Sequence, residues 1–158
     1  MHEITENATL EMTNVLSFRG KMTQQQIRER GLEIDRLILA NHAEKVGTGA
    51  SATFSVDASG MTPLVDIEIL IPLNKSISVD APYKFKPVFR LKNAVRIRHE
   101  GNPATLRNTA DELMQYISTH GLTPITAGYN VTVKEPSGPE DINSMIVDIY
   151  VGVTDNIL

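Results

Sequence analysis

The chain has 158 residues, of which 41% are hydrophobic and 22% are charged, and its formal net charge is −4 at pH 7. These values are typical of an ordinary globular protein, and we expect a single domain over residues 1–158. The negative charge argues against a general nucleic-acid-binding protein, which needs an excess of lysine and arginine.

The sequence also lacks several residue types and segments, which excludes further classes of protein. The sequence has no cysteine, which excludes disulfides, thiolate metal sites and cysteine nucleophiles. No apolar run approaches the ~20 residues that a membrane-spanning helix needs. Residues 1–6 are polar and acidic, unlike a secretory signal. We therefore expect a cytoplasmic protein with no membrane partner.

The first half of the chain is predicted to contain a strand, a helix and two further strands. Residues 10–18 are extended, with a register change near Asn14. Thr23 and Gln26 have the spacing of a capping box, and the apolar stripe that follows predicts a helix ending before Gly47. The two further strands are predicted over residues 50–56 and 65–73.

The second half is predicted to repeat this order. A strand covers residues 89–97, and Asn102 followed by Pro103 is typical of a helix start. The helix ends at His120 and Gly121, where glycine suits a left-handed residue. The other segments are a linker over residues 74–82, a strand over 129–134, a loop over 135–141, a closing strand over 145–153 and a tail over 154–158. One helix for three or four strands predicts an α+β fold with the helices on one face of antiparallel sheets.

The two halves are also similar residue by residue, when each position is compared with the position 79 further on. The matched pairs include Ile34 with Leu113, Ile38 with Ile117, Gly49 with Gly128 and, with three residues added, Asp66 with Asp148. Such self-similarity predicts a tandem duplication, with pseudo-repeats over about 4–73 and 83–153. One main helix per copy and a pseudo-twofold cleft between the copies are expected, and the cleft is where we look for function.

In its second half the chain resembles the GyrI-like effector-binding domains of the SOUL/GyrI-like superfamily. Four segments carry the resemblance: residues 95–101, 120–122, 126–133 and 147–153. The family includes the ligand-sensing half of several bacterial multidrug-responsive transcription activators. It is built from two tandem strand-helix-strand-strand copies. The resemblance extends from about Ile4 to Val153 and implies a small-molecule-binding domain.

The family resemblance also implies where the ligand lies, namely between the copies and near a buried acidic residue. Carried over by position, the central residues are Glu68 and its repeat mate Tyr150, and Asp66 and Asp148 form the other matched pair. Tyr129 begins a strand and is a further candidate. The alternatives are that the three carboxylates are exposed to solvent, that Tyr150 is a core residue at the floor of the cleft, and that Tyr129 is a surface or edge-strand residue.

The alternation of side chains along a strand indicates which way these candidate residues point. Asp66 and Glu68 point away from Val65, Ile67 and Ile69, so the apolar row is expected under the helix and the acidic row in the cleft or in solvent. A carboxylate in a partly apolar cleft attracts cations.

The remaining polar residues give no second site. A basic stretch runs from Lys84 to Arg98, but Arg96 and Arg98 alternate with apolar neighbours and are interpreted as the solvated face of a strand. The histidines show no metal-ligand spacing, and no metal, cofactor or catalytic residue is predicted. The chain departs from the family in lacking tryptophan, in having Gly152 where proline is usual, and in lacking a helix-turn-helix segment.

The leading hypothesis is therefore a stand-alone, non-catalytic domain that binds a lipophilic or cationic small molecule. An alternative is a protein-interaction module that inhibits or regulates a partner such as a DNA topoisomerase, using the loop over residues 135–141. A third is a small hydrolase that uses Glu68 and Tyr150. The ligand, the protein partner and the oligomeric state are not predicted.

Overall fold

The computed structural model describes residues 2–154, so most of the predicted tail, residues 155–158, lies outside the described residues. The strands are β1 (Ile4–Met22), β2 (Ala50–Asp57), β3 (Leu64–Pro72), β4 (Tyr83–Glu100), β5 (Thr123–Lys134) and β6 (Ile146–Thr154). The helices are α1 (Gln24–Ala40) and α2 (Leu106–Thr119), with short 3-10 helices at Pro103–Thr105 and Pro139–Ser144. Antiparallel strands with few helices confirm the α+β class. Neither α-helix within residues 2–154 is long and apolar enough to cross a membrane.

The chain divides into two compact units. The first unit is Met12–Phe89, and the second unit combines Met1–Glu11 with Arg90–Leu158. The predicted linker over residues 74–82 lies within the first unit, where Ile77 is buried in the core. The predicted boundaries of the pseudo-repeats stay a prediction.

In the first unit, three antiparallel strands lie in the order β1, β3, β2. Thr23 caps the start of helix α1 in the predicted capping box, in which the side chains of Thr23 and Gln26 each accept a hydrogen bond from the backbone N–H of the other. Its buried residues Ile34 and Ile38 belong to a core cluster against which Ile69 of β3 packs. The apolar row of β3 therefore lies on the helix side, as the alternation predicts.

In the second unit, the strands lie in the order β4, β6, β5, again all antiparallel. Helix α2 buries Leu113 and Ile117 in a core cluster that includes Ile97 and Ile149. Asp148, Tyr150 and Gly152 alternate with this apolar row and occupy the other face. We call the sheet face opposite the helix the helix-distal face of each unit.

The local structure explains why residue 152 is glycine and not the proline that the family resemblance implies. Its backbone N–H donates a 2.9 Å hydrogen bond to the Thr126 hydroxyl, which a proline could not do. A Cβ at Gly152 would also lie 2.8 Å from Leu91 Cδ1 and 2.9 Å from Thr126 Cγ2. This part of β6 therefore favours glycine, because proline would lose the hydrogen bond and a Cβ would crowd Leu91 and Thr126.

Candidate functional site

The helix-distal face of the second unit is built around the buried carboxylate of Asp148. Only 6% of its side chain is exposed, compared with 33% for Arg98, which faces it directly from β4. Arg98 donates from Nε to Oδ1 at 2.8 Å and from Nη2 to Oδ2 at 2.9 Å. A bidentate pair of this kind is strong and directional. The hydrogen bonds and charge of Asp148 raise the pKa of Arg98 above its usual value.

Arg96 lies next to this pair on β4, with its side chain 26% exposed. Its Nη1 is 4.0 Å from Asp148 Oδ2, and its Nη2 donates to the Thr5 hydroxyl at 3.4 Å. Its Nε is buried without a hydrogen-bond partner among the described residues. The interpretation of Arg96 and Arg98 as a solvated strand face is therefore wrong, because both are largely buried around a carboxylate.

The two predicted tyrosines lie in the same sheet. Tyr150 on β6 is directly opposite Arg96 on β4 and Tyr129 on β5. The three residues form a row across the strands, next to the row that contains Arg98 and Asp148. Tyr129 is 8% exposed, so it is a buried residue of this face and not a surface residue.

The helix-distal face of the first unit contains the other two predicted residues. Glu68 accepts a hydrogen bond from Lys86 Nζ at 3.2 Å, with side chains 13% and 33% exposed respectively. Asp66 accepts two hydrogen bonds from Arg19, both at 3.3 Å, and Arg19 is 52% exposed. Both carboxylates are thus mostly buried, which contradicts the alternative that they are exposed to solvent.

Two aromatic rings that the sequence did not single out lie beside these basic residues. The Arg19 guanidinium carbon is 3.7 Å from the centroid of the Phe54 ring, and Lys86 Nζ is 5.8 Å from that of Phe89. Both distances are within the range of a cation–π contact. Phe54 was missed because the β2–β3 register shifts between Thr53 and Ser55, which breaks the alternation along β2.

The charges on both faces are therefore paired. Asp66, Glu68 and Asp148 each lie within hydrogen-bond distance of a basic side chain. Within residues 2–154, no cluster of three or more histidine, aspartate or glutamate side chains is arranged to hold a metal ion. A ligand cation would have to compete with lysine or arginine for these groups.

Comparison with known proteins identifies the fold. The sequence matches no protein-family model and none of the curated proteins. The solved C-terminal domain of EcmrR has a TM-score of 0.70 at 15% identity, with 99% of each chain covered. In a complex of EcmrR with DNA, the match has a TM-score of 0.69 at 15% identity and covers 98% of this chain but only 58% of the EcmrR chain.

Two further solved structures are similar. A hydrolase from Listeria innocua has a TM-score of 0.57 at 15% identity, covering 97% of this chain and 91% of that one. SAV2435 bound to tetraphenylphosphonium has a TM-score of 0.50 at 13% identity, covering 98% and 94%. At these identities the similarity shows the fold alone. The chain thus has the fold of the EcmrR C-terminal domain, consistent with the GyrI-like fold that its sequence predicts.

Proposed function

We propose that this chain is a non-catalytic, GyrI-like small-molecule-binding domain whose ligand contacts a helix-distal face. The observation that carries the proposal is the row of Arg96, Tyr150 and Tyr129 beside the buried Arg98–Asp148 pair. Aromatic surface next to fixed polar groups is typical of small-molecule sites. The fold shared with the EcmrR C-terminal domain, a domain of a DNA-binding protein, supports a ligand-sensing role.

The proposal includes the tandem duplication. The two units have the same order of elements, and their helices bury equivalent pairs of residues. The strand registers support offsets that differ by only one residue, because Arg19 faces Glu68 in one sheet and Arg98 faces Asp148 in the other. Arg98 lies 79 positions after Arg19, and Asp148 lies 80 after Glu68. On this register the repeat mate of Glu68 is Asp148, and not Tyr150.

Glu68 is the residue that we assign to recognition of a lipophilic cation. It accepts a hydrogen bond from Lys86, whose flexible stem can move aside, whereas Asp148 is held at both oxygens by Arg98. Replacing the Lys86 ammonium at Glu68 with a ligand cation therefore costs less free energy than replacing Arg98 at Asp148. SAV2435, which has the same fold, is bound to tetraphenylphosphonium, a lipophilic cation. Asp66 and Tyr129 are assigned as supporting contacts.

The test is a thermal-shift titration with tetraphenylphosphonium. A ligand that binds only the native state raises the midpoint by mass action, by about 2.7 kcal/mol at 100 times its Kd. We expect a rise for the natural sequence, a much smaller rise for Glu68→Gln and for Tyr150→Ala, and the full rise for Glu11→Gln. Glu11 is a suitable control because it is an exposed glutamate paired with Arg90. An equal rise in all four proteins would remove Glu68 and Tyr150 from the site.

The two alternative functions, a hydrolase and a protein-interaction module, each have their own test. Glu68 is hydrogen bonded to Lys86, which opposes its use as a free base, so a hydrolase would have to show turnover that Glu68→Gln abolishes. A protein-interaction module would retain a stoichiometric partner, such as a topoisomerase, in the Glu68→Gln and Tyr150→Ala variants. A cytoplasmic location stays a prediction.

A further inference from the structure

An apolar cavity lies on the helix side of the first unit's sheet, the side opposite its helix-distal face. Its volume is about 460 Å³, and half of its lining residues are isoleucine or leucine. This volume is within the range of about 300–1,000 Å³ that is typical of small-molecule sites, which are mostly apolar with a few polar groups. The lining residues come from α1, from the segment after it and from β3: Arg28, Gly31, Leu32, Ile34, Asp35, Lys45, Ile69 and Ile71.

The walls of the cavity present apolar side chains that are not fully packed. On α1, residues spaced three and four apart lie on one helix face, and here they are Arg28, Gly31, Leu32 and Asp35. Leu32 is 57% exposed although it is a large apolar residue. On β3, Ile69 is opposite the small residue Ser51, and both Ile69 and Ile71 are only partly buried. A ligand can therefore bury apolar surface here that the fold leaves open.

Gly31 is a residue that the fold itself does not require. Glycine in a helix interior is less favourable than every other residue except proline, because it loses the most conformational freedom on folding. The backbone at Gly31 is helical, and a Cβ there would meet nothing within 4 Å, so neither strain nor a steric contact calls for glycine. The missing side chain instead leaves the cavity wall open beside Leu32.

The charges around the cavity indicate the charge of its ligand. Lys45 Nζ is 2.6 Å from Asp35 Oδ1, so these two charges neutralise each other. Within residues 2–154, the exposed side chain of Arg28 forms no ion pair, which leaves the lining with one positive charge in excess. An anionic group on a ligand would complement that charge.

We propose that this cavity is a second small-molecule site, which takes an amphipathic organic anion. The aliphatic part of the ligand packs on Leu32, Ile69 and Ile71, and its acid group pairs with Arg28. Burial of apolar surface supplies most of the affinity, while the exposed ion pair sets the orientation. The site differs from the one assigned to a lipophilic cation in the side of the sheet that it uses and in the charge that it selects.

The probe is octanoate, a straight-chain carboxylate, used below the concentration at which it forms micelles. NMR spectra of the isoleucine and leucine methyl groups follow its binding to the natural protein. We expect saturable shifts at Ile69 and Ile71, and weaker binding of octylammonium, which Arg28 repels. Ile125 is the reference because it is an exposed isoleucine outside the cavity lining. Shifts at Ile69 and Ile71 no larger than those at Ile125 would overturn the proposal.

Two changes at Gly31 separate filling of the cavity from an effect on folding. Gly31→Leu places a side chain in the open space, so octanoate should bind about tenfold more weakly or worse. Gly31→Ala adds a single methyl group, so it should keep binding and raise the thermal midpoint by about 2–4 °C through helix propensity. Binding of octanoate to a folded Gly31→Leu protein with unchanged affinity would show that the cavity is not the site.

The charge preference is tested on the same helix. Arg28→Gln should weaken octanoate binding about threefold, because an exposed ion pair contributes little, and should remove the preference over octylammonium. Arg36→Gln is the matched control, since Arg36 is an exposed arginine of α1 that does not line the cavity. If the two variants bound octanoate equally well, Arg28 would not pair with the acid group and the anionic assignment would be wrong.

The proposal is independent of the proposed function and can be tested separately from it. Glu68→Gln should bind octanoate as the natural protein does, and Gly31→Leu should respond normally to tetraphenylphosphonium. Loss of octanoate binding in Glu68→Gln would contradict a separate site. Without octanoate, shifts at Ile69 and Ile71 that depend on protein concentration would mean that a second copy of the chain fills the cavity, which would also refute the proposal.

Discussion

Asp148 and Asp66 are two aspartates in equivalent types of ion pair, but their surroundings differ. Asp148 is held by Arg98 at 2.8 and 2.9 Å with 6% of its side chain exposed, whereas Asp66 is held by Arg19 at 3.3 Å with 17% exposed. Arg19 is also half exposed. Because removal of one partner leaves a more costly unpaired charge when the pair is more buried, the two sites make a matched comparison.

The change Asp148→Asn is expected to lower the free energy of unfolding by about 2–3 kcal/mol, because it leaves Arg98 and Arg96 without their carboxylate. Asp66→Asn is expected to cost less than about 1 kcal/mol, since Arg19 can turn to solvent. Urea unfolding at neutral pH measures both. Equal losses in the two variants would mean that burial does not distinguish the pairs.

A second residue-scale prediction concerns the glycines that precede β2. Gly49 has φ +74, and a Cβ there would lie 2.4 Å from the Leu70 carbonyl oxygen, which is backbone and cannot easily move. Gly47 has φ +79 with nothing within 4 Å of a Cβ. Gly47→Ala should therefore cost about 1 kcal/mol from backbone strain alone.

Gly49→Ala should cost more than Gly47→Ala, by about 2 kcal/mol or more, because a steric clash is added to the strain. Thermal and urea unfolding of both variants, side by side, gives the difference. If Gly47→Ala were the more destabilising change, the close approach of Gly49 to Leu70 would not be present in solution.

At the scale of the elements, α1 and α2 begin differently. The Thr23 hydroxyl accepts from Gln26 N–H at 3.2 Å and completes a capping box at α1. Thr105 occupies the cap position of α2 but its side chain makes no capping bond, and Asn102 instead caps the preceding 3-10 turn. Thr23→Ala is expected to cost about 1 kcal/mol and Thr105→Ala clearly less. Helix content by circular dichroism and urea midpoints test this, and a larger loss for Thr105→Ala would contradict it.

The elements also show how far the sequence could predict the fold. The apolar stripe of α1 correctly placed Ile34 and Ile38 in the core, because a helix face depends only on local spacing. Strand β1 is longer than the predicted extended segment over residues 10–18. Asn7 and Asn14 both have positive φ, which interrupts the alternation on which a strand prediction depends.

The candidate site was predictable only in part, for a different reason. Alternation along one strand correctly placed Glu68 on the face away from the helix. It could not show that Lys86 lies against Glu68, or that Arg98 faces Asp148, because partners on other strands depend on register and chain path. Sequence reasoning therefore found the carboxylates and missed the cations that neutralise them.

At the scale of the whole molecule, the carboxylates set the behaviour in acid. Arg90 lowers the pKa of Glu11 by a hydrogen bond and by its charge, and hydrogen bonds from Ser144 and Ser137 lower the pKa of Asp141. A serine hydroxyl likewise lowers the pKa of Asp57. A lowered pKa in the folded state gives stability that is present at neutral pH and is lost as the pH falls through that pKa.

These three carboxylates predict a loss of stability in acid. The free energy of unfolding should fall below about pH 4 as Glu11, Asp57 and Asp141 protonate. Urea midpoints measured from about pH 3 to pH 7 give the profile. Glu11→Gln should make the fall smaller, because one of the three carboxylates is removed. If the fall in acid were unchanged in Glu11→Gln, it would belong to groups other than Glu11, because an amide side chain does not protonate in this range and cannot contribute to it.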